Sequence, residues 1–120
     1  MENKTKENKR VYLAVPYTHT NPRVLTRRFN QVNKAAAKLI NQGYHVFSPI
    51  SMNHPIKLAD DLPCLWEFWA AYDTAYLEVC SKMFVLKLPK WEASVGVTAE
   101  IEIANKLGIP IEYLDKDFAN

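Results

Sequence analysis

VYLAVPYTHTNPRVLTRRFNQVNKAAAKLINQGYHVFSPI, residues 11–50, is the stretch that decides the fold. Its opening, VYLAVP (11–16), is a short apolar run closed by a proline, the pattern of a buried strand. Asn21 then offers a side-chain oxygen at a helix start. Pro22 follows at the first helical position, where the missing N–H is harmless. Leu25, Phe29, Val32, Ala36 and Leu39 recur at helical spacing, and Gly43 supplies the stop. YHVFSPI (44–50) reads as a second strand that breaks at Pro49. Apolar strands joined by a helix pair in parallel through a right-handed crossover.

The same alternation continues outward. SMNHPIKLADDLP (51–63) carries no clear period and reads as a long loop, long enough for a substrate lid. CLWEFWAAYDTAYLEVC (64–80) is helical, KMFVLKL (82–88) is a third buried strand, and Pro89–Ala93 is a loop. SVGVTAEIEIANKLG (94–108) is a last helix, ended by Gly108 and Pro110, and PIEYL (110–114) is a fourth strand. The expected class is α/β: a Rossmann-like, flavodoxin-like three-layer sandwich on a four-stranded parallel sheet. The expected strand order is 2-1-3-4, by analogy with flavodoxin-like sheets. Ligands of such sheets bind beyond the carboxyl ends of the strands. That edge gathers residues 16–21, 48–55 and 89–94 and the start of the last helix.

Bulk properties narrow the function classes. A chain of 120 residues with 48% hydrophobic content suits one domain with a sizeable core. Residues 1–10, MENKTKENKR, are polar, lack the apolar core of a secretory signal, and read as a solvated tail ahead of a domain at 11–120. The expected location is cytoplasmic. No run is long enough to span a membrane. A net charge of +2, much of it in the tail and first helix, is too mild to argue for a nucleic-acid polymer as partner. Cys64 and Cys80 lack metal-ligand spacing and read as reduced thiols. His19, His45 and His54 lack the spacing of a zinc motif, so no metal is expected. No G-x-G-x-x-G follows the first strand, which argues against a dinucleotide oxidoreductase.

Two carboxylates stand out. On a wheel of about 100° per residue centred on Glu100, Leu107 lies roughly 20° away, Ala104 about 40°, and Val97 and Ile103 about 60°. Glu102, Asn105 and Lys106 fall on the opposite half. Centred on Asp73, Trp66 and Cys80 lie about 20° away, Trp69 and Leu77 about 40°, and Ala70 and Tyr76 about 60°. Both acids therefore sit in apolar arcs. A buried carboxylate costs several kcal/mol unless it is paired or hydrogen-bonded. One such acid is as easily structural, paired for example with Arg28. Two near a ligand edge suit glycosidic chemistry, in which one attacks and the other serves the leaving group.

These residues also carry a resemblance. VYLAVPY, YDTAYL and SVGVTAE, in that order within 11–114, resemble the nucleoside 2-deoxyribosyltransferase superfamily, which includes deoxynucleoside-monophosphate N-glycosidases. The nearest likeness is to a branch with Pro-Tyr-x-His, Ser-Pro-Ile, His-Pro-Ile, Phe-Trp-x-x-Tyr-Asp and Ser-x-Gly-Val-x-x-Glu. The resemblance implies Glu100 as nucleophile at C1′ of the sugar, forming a glycosyl–enzyme intermediate. It implies Asp73 beside the departing base, as acid or positioner, and Tyr12 as a hydrogen-bond donor to Glu100. It implies Ser94 and Gly96 in the loop that holds a 5′-phosphate. Ser94 would do this at a helix N-terminus, which favours anions, although Ser94 equally fits a plain N-cap. The chain departs from the phosphate-binding members in its first loop, VPYTHT, where Pro16 removes an amide and no Gly-Ser is present. Arg23, Arg27 or Arg28 stand near enough in sequence to substitute.

Tyr17, His19 and His54 fall in the ligand-edge loops as candidate base or sugar contacts; for His54 a loop-stabilising hydrogen bond is slightly favoured. Trp69 is a candidate cavity wall, with core packing as its default. The implied activity is cleavage or transfer of the N-glycosidic bond of a small-molecule nucleoside or nucleotide. No cofactor is implied, hydrolysis is favoured over transfer, and the assembly is a homodimer. The alternative is a nucleotide-binding sensor module without chemistry, which would tolerate Glu100→Gln.

Overall fold

The computed structural model describes residues 7–120. Of the expected tail, residues 1–6 lie outside the described part. Residues 7–10 are exposed but not free. Ser81 Oγ donates to the Asn8 carbonyl at 2.7 Å, and the Asn8 amide donates to the Val79 carbonyl at 3.1 Å. The His45 amide bonds the Lys9 carbonyl at 2.9 Å. This segment leads the chain into the sheet and extends its hydrogen bonding.

The strands are β1 (Arg10–Ala14), β2 (His45–Phe47), β3 (Lys82–Leu86) and β4 (Ile111–Leu114). The helices are α1 (Pro22–Asn41), α2 (Pro49–Asp60), α3 (Trp66–Leu77) and α4 (Val95–Lys106). A short 3-10 turn at Trp91–Ala93 precedes α4. All strand pairs are parallel, in the order β2-β1-β3-β4. This is the expected three-layer α/β architecture. Asn21 caps α1 as anticipated, accepting from the Arg23 amide at 2.9 Å, with Pro22 beside it.

One expectation is overturned. Residues 51–63 are not a loop or lid; most of them belong to α2. The second strand is correspondingly shorter than 44–50, because Ser48 and Pro49 start this helix. Two prolines disguised it. Pro49 sits at the helix start, where it suits the backbone. Pro55 lies inside the helix at an exposed position and costs one backbone bond. Asp61 ends the helix in the left-handed conformation, φ 51°.

The alternation of β1 distributes the core. Val11 and Leu13 point to one face, where Val32, Ala35, Ala36 and Leu39 of α1 cover them together with Phe84 and Leu86. Tyr12 and Ala14 point to the other, against Leu77 of α3, Val97 and Ala104 of α4, and Met83 and Val85. Each large side chain buried here stabilises the fold by about 1.5–3 kcal/mol. Strand parity therefore sends Tyr12 into the same layer as α3 and α4, whose inward faces carry the two acids. α2 packs on α1 and β1. No helix among the described residues is long and apolar enough to cross a membrane.

Candidate active site

A cavity of about 460 Å³ opens beyond the carboxyl ends of the strands. That volume suits a small organic ligand. Glu100, Asp73, Ser94, Gly96, Pro16, Tyr17, His19 and Trp69, all singled out in the sequence, line it. Tyr12 and His54 stand behind it.

Glu100 and Asp73 are each 5% exposed, although both belong to helices that meet water on their other faces. The Tyr12 hydroxyl donates to Glu100 Oε2 from beneath the cavity floor. Burial pushes the Glu100 carboxyl up to about 8; the Tyr12 bond pulls it down and the Asp73 charge pushes it up again. Burial likewise pushes Asp73 up to about 6, opposed by a hydrogen bond from Asn53. Tyr12 itself is raised well above 10, by burial first and then by the Glu100 charge, so its proton stays on. Glu100 feels the charge of Asp73, which couples its titration to that of the second acid. Between about 6 and about 8 that pair holds one proton.

The helical wheels placed these acids correctly, but not every neighbour. Trp69, Leu77, Cys80, Val97 and Ala104 are buried as expected. Leu107 is exposed because it caps the end of α4, and Tyr76 is exposed while stacking on Phe47 with ring centroids 4.3 Å apart. Arg28 pairs with neither acid. It is buried, and its guanidinium donates to the carbonyls of Tyr17 and Thr18 at 3.1 and 3.2 Å. It thus braces the first loop and remains a cation on the cavity wall.

The remaining candidates take distinct places. The Tyr17 hydroxyl hydrogen-bonds Nδ1 of His54, which stacks on Phe29 with ring centroids 4.5 Å apart. Burial, then the Lys57 charge, lowers His54, and burial raises Tyr17 to about 12, so neutral partners meet here. His54 serves as a brace behind Tyr17, the role favoured for it from sequence. His19 is exposed at the rim and accepts from the Asn21 amide at 2.9 Å. Trp69 both lines the cavity and bonds the Pro63 carbonyl at 2.7 Å. Ser94 is the N-cap of α4, accepting from the Val97 amide at 3.2 Å. Gly96 has room beside it: an added Cβ would stand 3.9 Å from the Trp66 ring.

Among the cavity residues the sequence reading did not single out are Asn53, Lys57 and Lys90, although Asn53 and Lys90 fall within its ligand-edge segments. Pro49, Asn53 and Lys57 are spaced four residues apart and share one face of α2. A helical wheel over 49–60 would have aligned them, had the segment been read as helix. Lys90, in the left-handed conformation at φ 75°, has no periodic signal at all. Among the described residues, no three His, Cys, Asp or Glu side chains cluster to hold a metal.

Residues 9–115 match the family model described as a domain of unknown function, DUF1937. The chain belongs to that family. The match covers every strand and helix of this DUF1937 chain and every residue lining the cavity. No curated protein matches it at a significant level.

Proposed function

We propose that this DUF1937 chain cleaves the N-glycosidic bond of a nucleoside or nucleoside monophosphate. The observation that carries the reading is the Tyr12–Glu100 hydrogen bond, made where Glu100 shares a cavity with a second buried acid, Asp73. Glu100 as carboxylate bonds to C1′ of the sugar. The glycosidic electron pair leaves with the base nitrogen, which takes the proton of Asp73. Water then attacks C1′, gives its proton back to the Asp73 carboxylate and displaces Glu100 as carboxylate. A proton shared by the two acids matches this need: one carboxylate to attack and one acid for the leaving group. In the empty site, burial favours the proton on Glu100. The Tyr12 hydroxyl and the positive charge developing at C1′ both favour the carboxylate during reaction.

Arg28, Lys57 and Lys90 on the cavity wall, together with the N-terminus of α4 at Ser94, support a ligand bearing a phosphate. They offset the missing amide at Pro16. The reading includes a homodimer, supported by exposed apolar side chains along α3 and its ends: Leu65, Phe68, Tyr72, Tyr76 and Val79 are each 38–50% exposed.

A binding module without chemistry is the second reading. It is favoured by the raised Glu100, which is largely neutral at pH 7 when the cavity is empty. Base release separates the two. Deoxynucleosides and their monophosphates are incubated with the protein, and free base is read by chromatography. Glycosidic chemistry predicts release that Glu100→Gln abolishes. Binding without release from any member supports the module instead.

A further inference from the structure

Asn53 is 5% exposed and lines the cavity beside Asp73. Its Nδ2 donates to Asp73 Oδ1 at 3.0 Å. That bond fixes the amide, because turning it over would set the carbonyl oxygen against a carboxylate oxygen. The carbonyl oxygen, Oδ1, is buried and has no hydrogen-bond partner among the described residues. Leaving a buried acceptor unpaired is costly, and a native structure that tolerates one calls for an explanation. A ligand donor supplies one.

The position of the amide says which part of the ligand provides that donor. Under the glycosidic reading Asp73 serves the base and Glu100 the sugar, so Asn53, bonded to Asp73, stands on the base side and the Tyr12–Glu100 pair on the sugar side. The base therefore meets the Asn53 carbonyl, which can only accept, beside Asp73, the acid of the leaving group. An exocyclic amino group supplies an N–H to that carbonyl. An oxo group in its place sets oxygen against oxygen.

We propose that Asn53 reads the departing base, accepting a hydrogen bond from an exocyclic amine, so that the site prefers amino-bearing bases over their oxo counterparts. The inference rests on the glycosidic reading above and adds the substrate class. A site that leaves its own buried acceptor unpaired discriminates strongly against the wrong partner. A preference of about tenfold or more is expected.

The test uses matched pairs: deoxyadenosine with deoxyinosine, and deoxycytidine with deoxyuridine, each also as the monophosphate. Binding to Glu100→Gln is measured by calorimetry, and kcat/KM is measured for the wild type. The expected result is that the amino member of at least one pair is favoured about tenfold or more. Asn53→Leu, or Asn53→Ser should the first variant fold poorly, is expected to erase that ratio. A loss shared equally by both members marks Asn53 as a mere support for Asp73 and overturns the inference. So does equal handling of every pair by the unaltered Asn53 site, which leaves the glycosidic reading standing. Failure to bind or cleave any nucleoside overturns both.

Discussion

At the scale of single residues, the site is a contest between burial and bonding. Desolvation pushes Glu100 up to about 8 and Asp73 to about 6, and one donor to each acid, Tyr12 and Asn53, limits the rise. The rate of base release should therefore trace a bell in pH, with limbs at about 6 and about 8, read from kcat/KM. Tyr12→Phe removes a bond that favours the charged Glu100. The upper limb should move to higher pH, with activity falling roughly 10–100-fold at neutral pH. Stability carries the same sign. Unfolded Glu100 ionises near 4.5 and the folded side chain at about 8, so between these values the folded state holds a proton the unfolded state has lost. Stability from this source is present below 4.5 and is lost as pH rises through about 8. Glu100→Gln should raise the melting temperature at alkaline pH, by an effect on the order of a few kcal/mol, and should change little in acid. Thermal scans of both proteins across pH check this. Both acids were legible in the sequence because a helix imposes a period, and an acid inside an apolar arc is conspicuous. Asn53 was not, because a neutral amide inside a segment read as loop has no register to violate.

At the scale of elements, α2, α3, α4 and the loop after β1 wall the cavity. α4 was legible to within a residue, from its Ser94 cap to its Gly108 stop. α2 was hidden because Pro49 and Pro55 mimic loop punctuation, although only Pro55 breaks a helical bond. Its residues Pro49, Asn53 and Lys57 form one wall, so the cavity's polarity was only half visible from sequence. The Ser94 side chain does two jobs under the proposed reading, capping α4 and facing an anion. Two substitutions separate them. Ser94→Ala removes the cap and should cost about 1 kcal/mol in denaturant unfolding. Ser94→Asp keeps an oxygen at the cap and preserves stability, but sets a negative charge against the phosphate. Affinity for nucleoside monophosphates should then fall at least tenfold relative to the free nucleosides, as calorimetry would show.

At the scale of the molecule, the alternation of apolar strands with helices was enough to give a parallel sheet, and the order β2-β1-β3-β4 follows the expected one. The reason is physical: the central strands β1 and β3, buried on both faces, read as continuous apolar runs, which single them out from amphipathic helices. The sheet in turn gathers Tyr12 from β1, Asp73 from α3 and Glu100 from α4, residues separated widely in sequence. The exposed apolar side chains along α3 belong to this scale as well. Sedimentation across a dilution series should show a dimer, and Phe68→Lys should shift it to monomer without loss of helix content. A monomer at every concentration would remove the dimer from the account.

The central claim is that Glu100 bonds covalently to the sugar while the base departs. Mass analysis of the protein, acid-quenched during base release and then digested, tests this most directly. The account predicts a glycosyl adduct on the peptide containing Glu100, absent from Glu100→Gln along with base release. Base release that continues unchanged in Glu100→Gln, with no sugar on that peptide, would contradict it.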